Sequence, residues 1–178
     1  MPEPAPSPDV PASPQSPPSP PAAAAGVPGA AGGVAAPSPA GAPVDLSMLQ
    51  DALGTLFAPW LGELGLEVLE ARPGEVVLAL PVAPRHVHAG GVLCGQTMMA
   101  AADTAMVLAL MTRLGGFKPM GTVQLQTSFL RPIPGPGGTA RVTARVLRMG
   151  RSLAFGEIEI AGADGALAAH ATTTYALL

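Results

Sequence analysis

Cysteine is nearly absent: Cys94 is the only one in 178 residues. No intramolecular disulfide can form, and such usage suits a reducing compartment, so a cytoplasmic protein is expected. Aromatic residues make up 3% of the chain and the formal net charge is −3, which leaves neither stacking surfaces nor a basic face for nucleic acid. The longest apolar stretch, around residues 98–111, falls short of the roughly 20 residues that cross a bilayer. It also carries Asp103, and no membrane span is expected. Residues 1–43 lack aromatics altogether, with Glu3 and Asp9 as their only charges. Built of Pro, Ala, Ser and Gly, this segment has nothing to bury and is expected to stay disordered, partly as polyproline II. It has neither the basic start and apolar core of a secretory signal nor the arginines of a mitochondrial presequence. The folded part is expected to be one domain, residues 44–178. Signature motifs are missing as well. No Gly-x-Ser-x-Gly elbow occurs, which disfavours an α/β-hydrolase, and no glycine-rich phosphate loop is present.

What remains has clear periodicity. Leu46, Leu49, Leu53, Leu56, Phe57 and Trp60 mark a helical stripe over residues 46–61, with Asp45 or Ser47 as its cap and Pro59 near its end. Residues 66–71 and 75–82 are β-rich runs divided by Arg72-Pro73-Gly74, a hairpin pattern. Residues 96–114 are good helix formers, apolar on nearly every face and closed by Gly115-Gly116. Four strands follow, over residues 122–130, 139–149, 153–160 and 167–177. In the second of them Val142, Ala144 and Val146 oppose Arg141, Thr143, Arg145 and Arg148, and the arginine face is read as solvated. Short links between strands favour antiparallel pairing. The fold class is therefore α+β: one curved antiparallel sheet wrapped around a central buried helix, the hot-dog architecture. An open sheet edge and an incompletely covered helix favour a homodimer as the minimal unit, with a homotetramer as the larger option.

One charge interrupts the central helix. Asp103 is the only one between Gln96 and Thr112, and an ionised carboxylate in such surroundings is costly unless paired. It is either a general base in a dry cleft or a structural carboxylate, at an exposed notch or bonded to nearby donors. Gly90-Gly91 permits a tight loop, and Gly95 stands where the helix begins. Unpaired backbone N–H groups there can hold an oxyanion, and the alternative for Gly95 is close packing. His86-x-His88 could supply half of a metal site, but His170 is the only other histidine. Neither a metal nor an organic cofactor is expected. Cys94, just before the helix, is weighed as a nucleophile against an ordinary small buried residue.

The segments GGVLCGQTMMAAADTAM, TVQLQTSFLRP and RMGRS together resemble the hot-dog acyl-CoA thioesterases of the phenylacetyl-CoA and 4-hydroxybenzoyl-CoA type. The resemblance covers roughly residues 61–175. It implies a carboxylate base at Asp103, a carbonyl-polarising N–H at Gly95 and a polar helper at Thr122. His88 falls where the family has a loop asparagine, and Cys94-Gly95-Gln96 where it has His-Gly-Gly. His88 is therefore placed among the catalytic candidates and Gln96 among the substrate-binding ones. Arg148, Arg151 and Ser152 are candidates for the CoA phosphates, with a solvated turn as the alternative. The implied activity is hydrolysis of an acyl-CoA to free acid and CoA. Two rivals remain: a module that binds acyl-CoA without hydrolysing it, and a hydrolase dependent on Cys94.

Overall fold

The structure, a computed structural model, describes residues 45–178. The expectation of disorder for residues 1–43 lies outside the described residues. Helix α1 spans Leu46–Thr55, and the Asp45 side chain caps it by accepting from the Ser47 backbone N–H at 2.9 Å and the Ser47 hydroxyl at 2.8 Å. The helix stops short of the expected residue 61. Proline at 59 has no N–H and bars helical backbone from Ala58, which is extended at ψ 142°; a 3₁₀ turn, Pro59–Leu64, follows instead. Trp60 consequently leaves the stripe and is 58% exposed, while Leu49 and Ala52 are what α1 buries.

Six strands follow the expected order: β1 Glu67–Arg72, β2 Glu75–Pro81, β3 Met120–Phe129, β4 Thr139–Met149, β5 Leu153–Ala161 and β6 Leu167–Leu177. They form one sheet in the order β1-β2-β4-β5-β6-β3, with every pairing antiparallel. Helix α2, Gly95–Leu114, packs against one face of that sheet. Gly115 ends it in the left-handed region at φ 74°, as a Gly-Gly stop should. Val76, Leu78 and Leu80 of β2, Val142 and Ala144 of β4, and Ile158 and Ile160 of β5 are buried in the same core as Ala101, Ala105, Met106 and Leu108 of α2. This is the hot-dog arrangement. At 20 residues α2 is longer than the apolar stretch suggested, and by length and composition it could cross a bilayer. Two-thirds of that window is buried within the fold, as befits a core helix.

The inner face needs one glycine. A Cβ on Gly156 would lie 2.2 Å from Met106 Cε and 2.9 Å from the Arg145 carbonyl oxygen, and Met106 is itself buried. Gly156→Ala is therefore expected to destabilise the fold by about 1–3 kcal/mol, the usual cost of overpacking a filled core. Equilibrium denaturation checks this; an unchanged midpoint would mean that α2 does not lie so close to β5.

On the opposite face the arginines of β4 are not merely solvated. Arg145 bonds Glu75 at 3.1 Å and Glu159 at 2.8 Å, and Arg141 reaches Glu70 at 2.7 Å. Arg145 pairs across the adjacent strands β2 and β5, and Arg141 reaches past β2 to β1. Arg148 has no ion-pair partner among the described residues. The sheet ends at β3, whose register shifts between Thr122 and Gln124 and leaves Val123 61% exposed. Beside it α2 shows an open stripe: Gln96 and Met99 are exposed, and Ala100, Asp103 and Val107 are only partly buried.

Candidate active site

The N-terminus of α2 is held in place by two segments, residues 86–87 and Ile133. Leu93 N–H donates to the Ile133 carbonyl, Cys94 N–H donates to the His86 carbonyl, and Val87 bridges to Leu93. Cys94 is the N-cap, in extended backbone at φ −75° and ψ 147°, and offers no side-chain cap. The first-turn N–H groups, beginning with that of Gly95, thus have no acceptor within the helix. A cleft of about 320 Å³ opens beside them, lined by Val92, Leu93, Gly95, Met98, Phe129 and Arg131. Phe129 lies over Gly95, where a Cβ would come within 3.0 Å of the ring. Gly95 thus packs against an aromatic ring and also lines a cleft with its backbone N–H unpaired within the helix.

About two turns further along α2 stands Asp103, half-buried. The Thr122 hydroxyl of β3 donates to its Oδ1 at 3.0 Å, and the Tyr175 hydroxyl of β6 donates to the same oxygen. Thr122 and Tyr175 are register partners across the β3–β6 ladder, so the pairing itself delivers two hydroxyls to one carboxylate. Burial, and then the hydrogen bond to Asp103, push the Tyr175 phenol far above its ordinary range, so it remains a protonated donor. Among the described residues no side-chain donor reaches Asp103 Oδ2.

The other sequence-derived candidates divide between these two places. His88 is exposed in the loop before α2, where its Nδ1 accepts from the Gly90 N–H at 2.9 Å. With Gly95 and the exposed Gln96, it belongs to the helix N-terminus and not to the carboxylate. Thr122 alone joins Asp103 directly. Arg148, Arg151 and Ser152 are exposed at the β4–β5 turn. One rung of the sheet runs Met149, Ala154, Tyr175, Thr122, so this turn lies at the same end of the sheet as Asp103. Three strand spacings separate Met149 from Thr122, about 14 Å. One chain therefore does not bring the oxyanion donor, the carboxylate and the arginines to one point.

Two rival readings meet specific contacts. His86 is buried, with Nδ1 2.9 Å from the Pro81 carbonyl and Nε2 3.0 Å from the Glu63 carbonyl, so both ring nitrogens are engaged by backbone and neither faces His88 as a metal partner. Cys94 Sγ is half-buried and lies 2.9 Å from Thr97 Oγ1 within the first turn of α2. No imidazole contacts it to act as its base.

Sequence reasoning missed three residues here. Tyr175 is the sole tyrosine of the chain, and the alternation of β6 would have put it on the helix side with Ala169, Ala171 and Thr173. Phe129 lies in the segment TVQLQTSFLRP, and alternation along a strand does not place it against Gly95. Arg131, in the same segment, lines the cleft beside Gly95.

Known proteins resemble this chain in both sequence and fold. A profile of the thioesterase superfamily matches residues 90–169, a span that includes Gly95, Asp103 and Thr122. A candidate esterase from Thermoplasma volcanium is 31% identical over 106 residues, 60% of this chain and 77% of that protein. A mutant form of the phenylacetic acid degradation protein PaaI from Thermus thermophilus is 31% identical, with a TM-score of 0.61 over 68% of this chain and all (100%) of that one. Thioesterase superfamily member 2 of zebra fish is 27% identical, with a TM-score of 0.65 over 75% of this chain and 95% of its own. With a sheet, a central helix and a sequence match that coincide in this way, the chain belongs to the thioesterase superfamily and is a thioester or ester hydrolase.

Proposed function

We propose that the protein is an acyl-CoA thioesterase that releases the free acid and CoA, active as a homodimer whose two sites are each built from both chains. The observation that carries this reading is the state of Asp103: one carboxylate oxygen is taken by two hydroxyls, and the other meets no side-chain donor among the described residues. An oriented carboxylate with a free oxygen can align a water and accept its proton. The Gly95 N–H of the other chain polarises the thioester carbonyl, and such a donor is worth roughly 2.7–4 kcal/mol to an acyl-transfer transition state. Thiolate is a good leaving group, so the collapse that follows asks little of the protein, and no metal or organic cofactor enters these steps. The single cysteine supports a reducing, cytoplasmic setting. The test is hydrolysis of short, long and aromatic acyl-CoAs beside the matching oxygen esters. Turnover of oxygen esters alone would overturn the assignment to CoA thioesters.

CoA carries phosphates, and Arg151 is an exposed cation at the end of the sheet where Asp103 lies. An anchor so far from the reacting carbon acts as uniform binding. Arg151→Ala is accordingly expected to raise KM several-fold, about 3- to 10-fold for one exposed charge contact, with kcat nearly unchanged. The wild-type KM should also rise with salt. A KM unchanged in Arg151→Ala returns that residue to a solvated turn, and Arg131→Ala, measured in parallel, shows whether the cleft arginine takes the role.

A further inference from the structure

We propose that Tyr175 is a positioning residue for the Asp103 carboxylate: its buried hydroxyl, with that of Thr122, fixes Oδ1 and leaves Oδ2 turned to the water. The inference rests on the function proposed above. Tyr175 is 1% exposed at the end of β6, and its ring is part of the core under α2. Its hydroxyl donates to Asp103 Oδ1 and lies 3.1 Å from the carbonyl oxygen of the same residue. A phenol has one proton, and the carboxylate is the stronger acceptor. Thr122 approaches the same oxygen from the neighbouring strand.

Two donors on one oxygen do more than satisfy a half-buried charge. A lone carboxylate on a helix turns about its last side-chain torsion, and that torsion is broad and roughly two-fold. With Oδ1 fixed by a rigid ring in the core, the two oxygens are no longer equivalent. The base is then held in one orientation before substrate arrives, and orientation of this kind is a large part of catalytic rate. Thr122 is exposed and on an edge strand, so it alone is a weak anchor. The rigid one is Tyr175.

Tyr175→Phe keeps the ring and removes only the donor. Turnover is expected to fall about 10- to 100-fold, the cost of a modest misplacement of a reacting group, with KM within about threefold of wild type. Rates are referred to folded sites, counted by titration with an unreactive thioether analogue of acyl-CoA. Because the chain has one tyrosine, growth on 3-fluorotyrosine replaces this residue alone. That protein keeps the hydroxyl, and its kcat should stay within about threefold of wild type. Wild-type kcat in Tyr175→Phe overturns the proposal, and so does a raised KM in place of a lowered kcat, or a fluorotyrosine protein as slow as Tyr175→Phe. Asp103→Asn, run in the same assay, separates the two levels. If it still turns over, Asp103 is not the base and the mechanism proposed above fails; if it is dead while Tyr175→Phe is fully active, only the role of Tyr175 fails.

Discussion

Asp103→Asn is expected to stop turnover and to leave acyl-CoA binding in place. The amide has the volume of the carboxylate, so α2 and the core around Ala102 and Met106 are undisturbed. Its oxygen can still accept from Thr122 and Tyr175, so neither hydroxyl is left unpaired at the site. What it cannot do is take a proton from water. General-base catalysis supplies typically 10²–10⁴-fold, and the loss in kcat should fall in that range, about 3–5 kcal/mol at the barrier. Release of free thiol measures the rate, and calorimetry with a thioether analogue measures binding. Normal turnover in this variant would sink the mechanism. A wild-type protein that binds acyl-CoA but hydrolyses none would instead support the binding module. Cys94→Ala is the companion measurement, expected to remain active, since the hydrogen-bond partner of Sγ among the described residues is a hydroxyl of its own helix turn and no base. A dead Cys94→Ala would revive the cysteine hydrolase.

The fold was legible because its elements are long and their periods differ. α2 was marked by an unbroken apolar run and a Gly-Gly stop, and β4 by strict alternation; both stand within a residue or so of their expected limits. The first helix was misjudged at its end because an apolar stripe continues past Pro59, and the stripe carries no record of the missing N–H. Asp103 was conspicuous as a charge without company. Its company was the part that sequence hides. Thr122 came only through a family resemblance, and Tyr175, 72 residues away, reaches Asp103 only because β6 is the strand that pairs with β3. Sheet order sets such contacts, and alternation along a strand says nothing about which strand lies next to it. The ion pairs of Arg141 and Arg145 were missed for the same reason. Their partners are on β1, β2 and β5.

Mixing two dead variants is expected to restore about a quarter of wild-type activity. Gly95 and Asp103 lie eight residues apart on α2, about 12 Å along its axis at 1.5 Å per residue. The carbonyl oxygen and the attacking water must both lie within roughly 3 Å of their protein groups while joined to one carbon. One helix does not span that gap. Two copies of α2 lying antiparallel across a two-fold axis put Gly95 of each opposite Asp103 of the other. Residue 99 is the midpoint of that span, and Met99 is 37% exposed on the open stripe, where it would meet its own copy. The open edge of β3 runs beside it. The variants are Asp103→Asn and Gly95→Pro, each inactive alone. Proline suits this position, because it is the first of the helix and Cys94 before it is already extended at ψ 147°. It removes the N–H but also places a ring carbon near Phe129. Gly95→Ala is the control: it adds a Cβ 3.0 Å from the same ring while keeping the donor, so its activity measures the steric part alone. After unfolding and joint refolding, about half the dimers pair unlike chains, and each of those holds one intact site and one doubly damaged site, which gives the quarter. If each site belonged to a single chain, every site would keep its lesion and mixing would restore nothing.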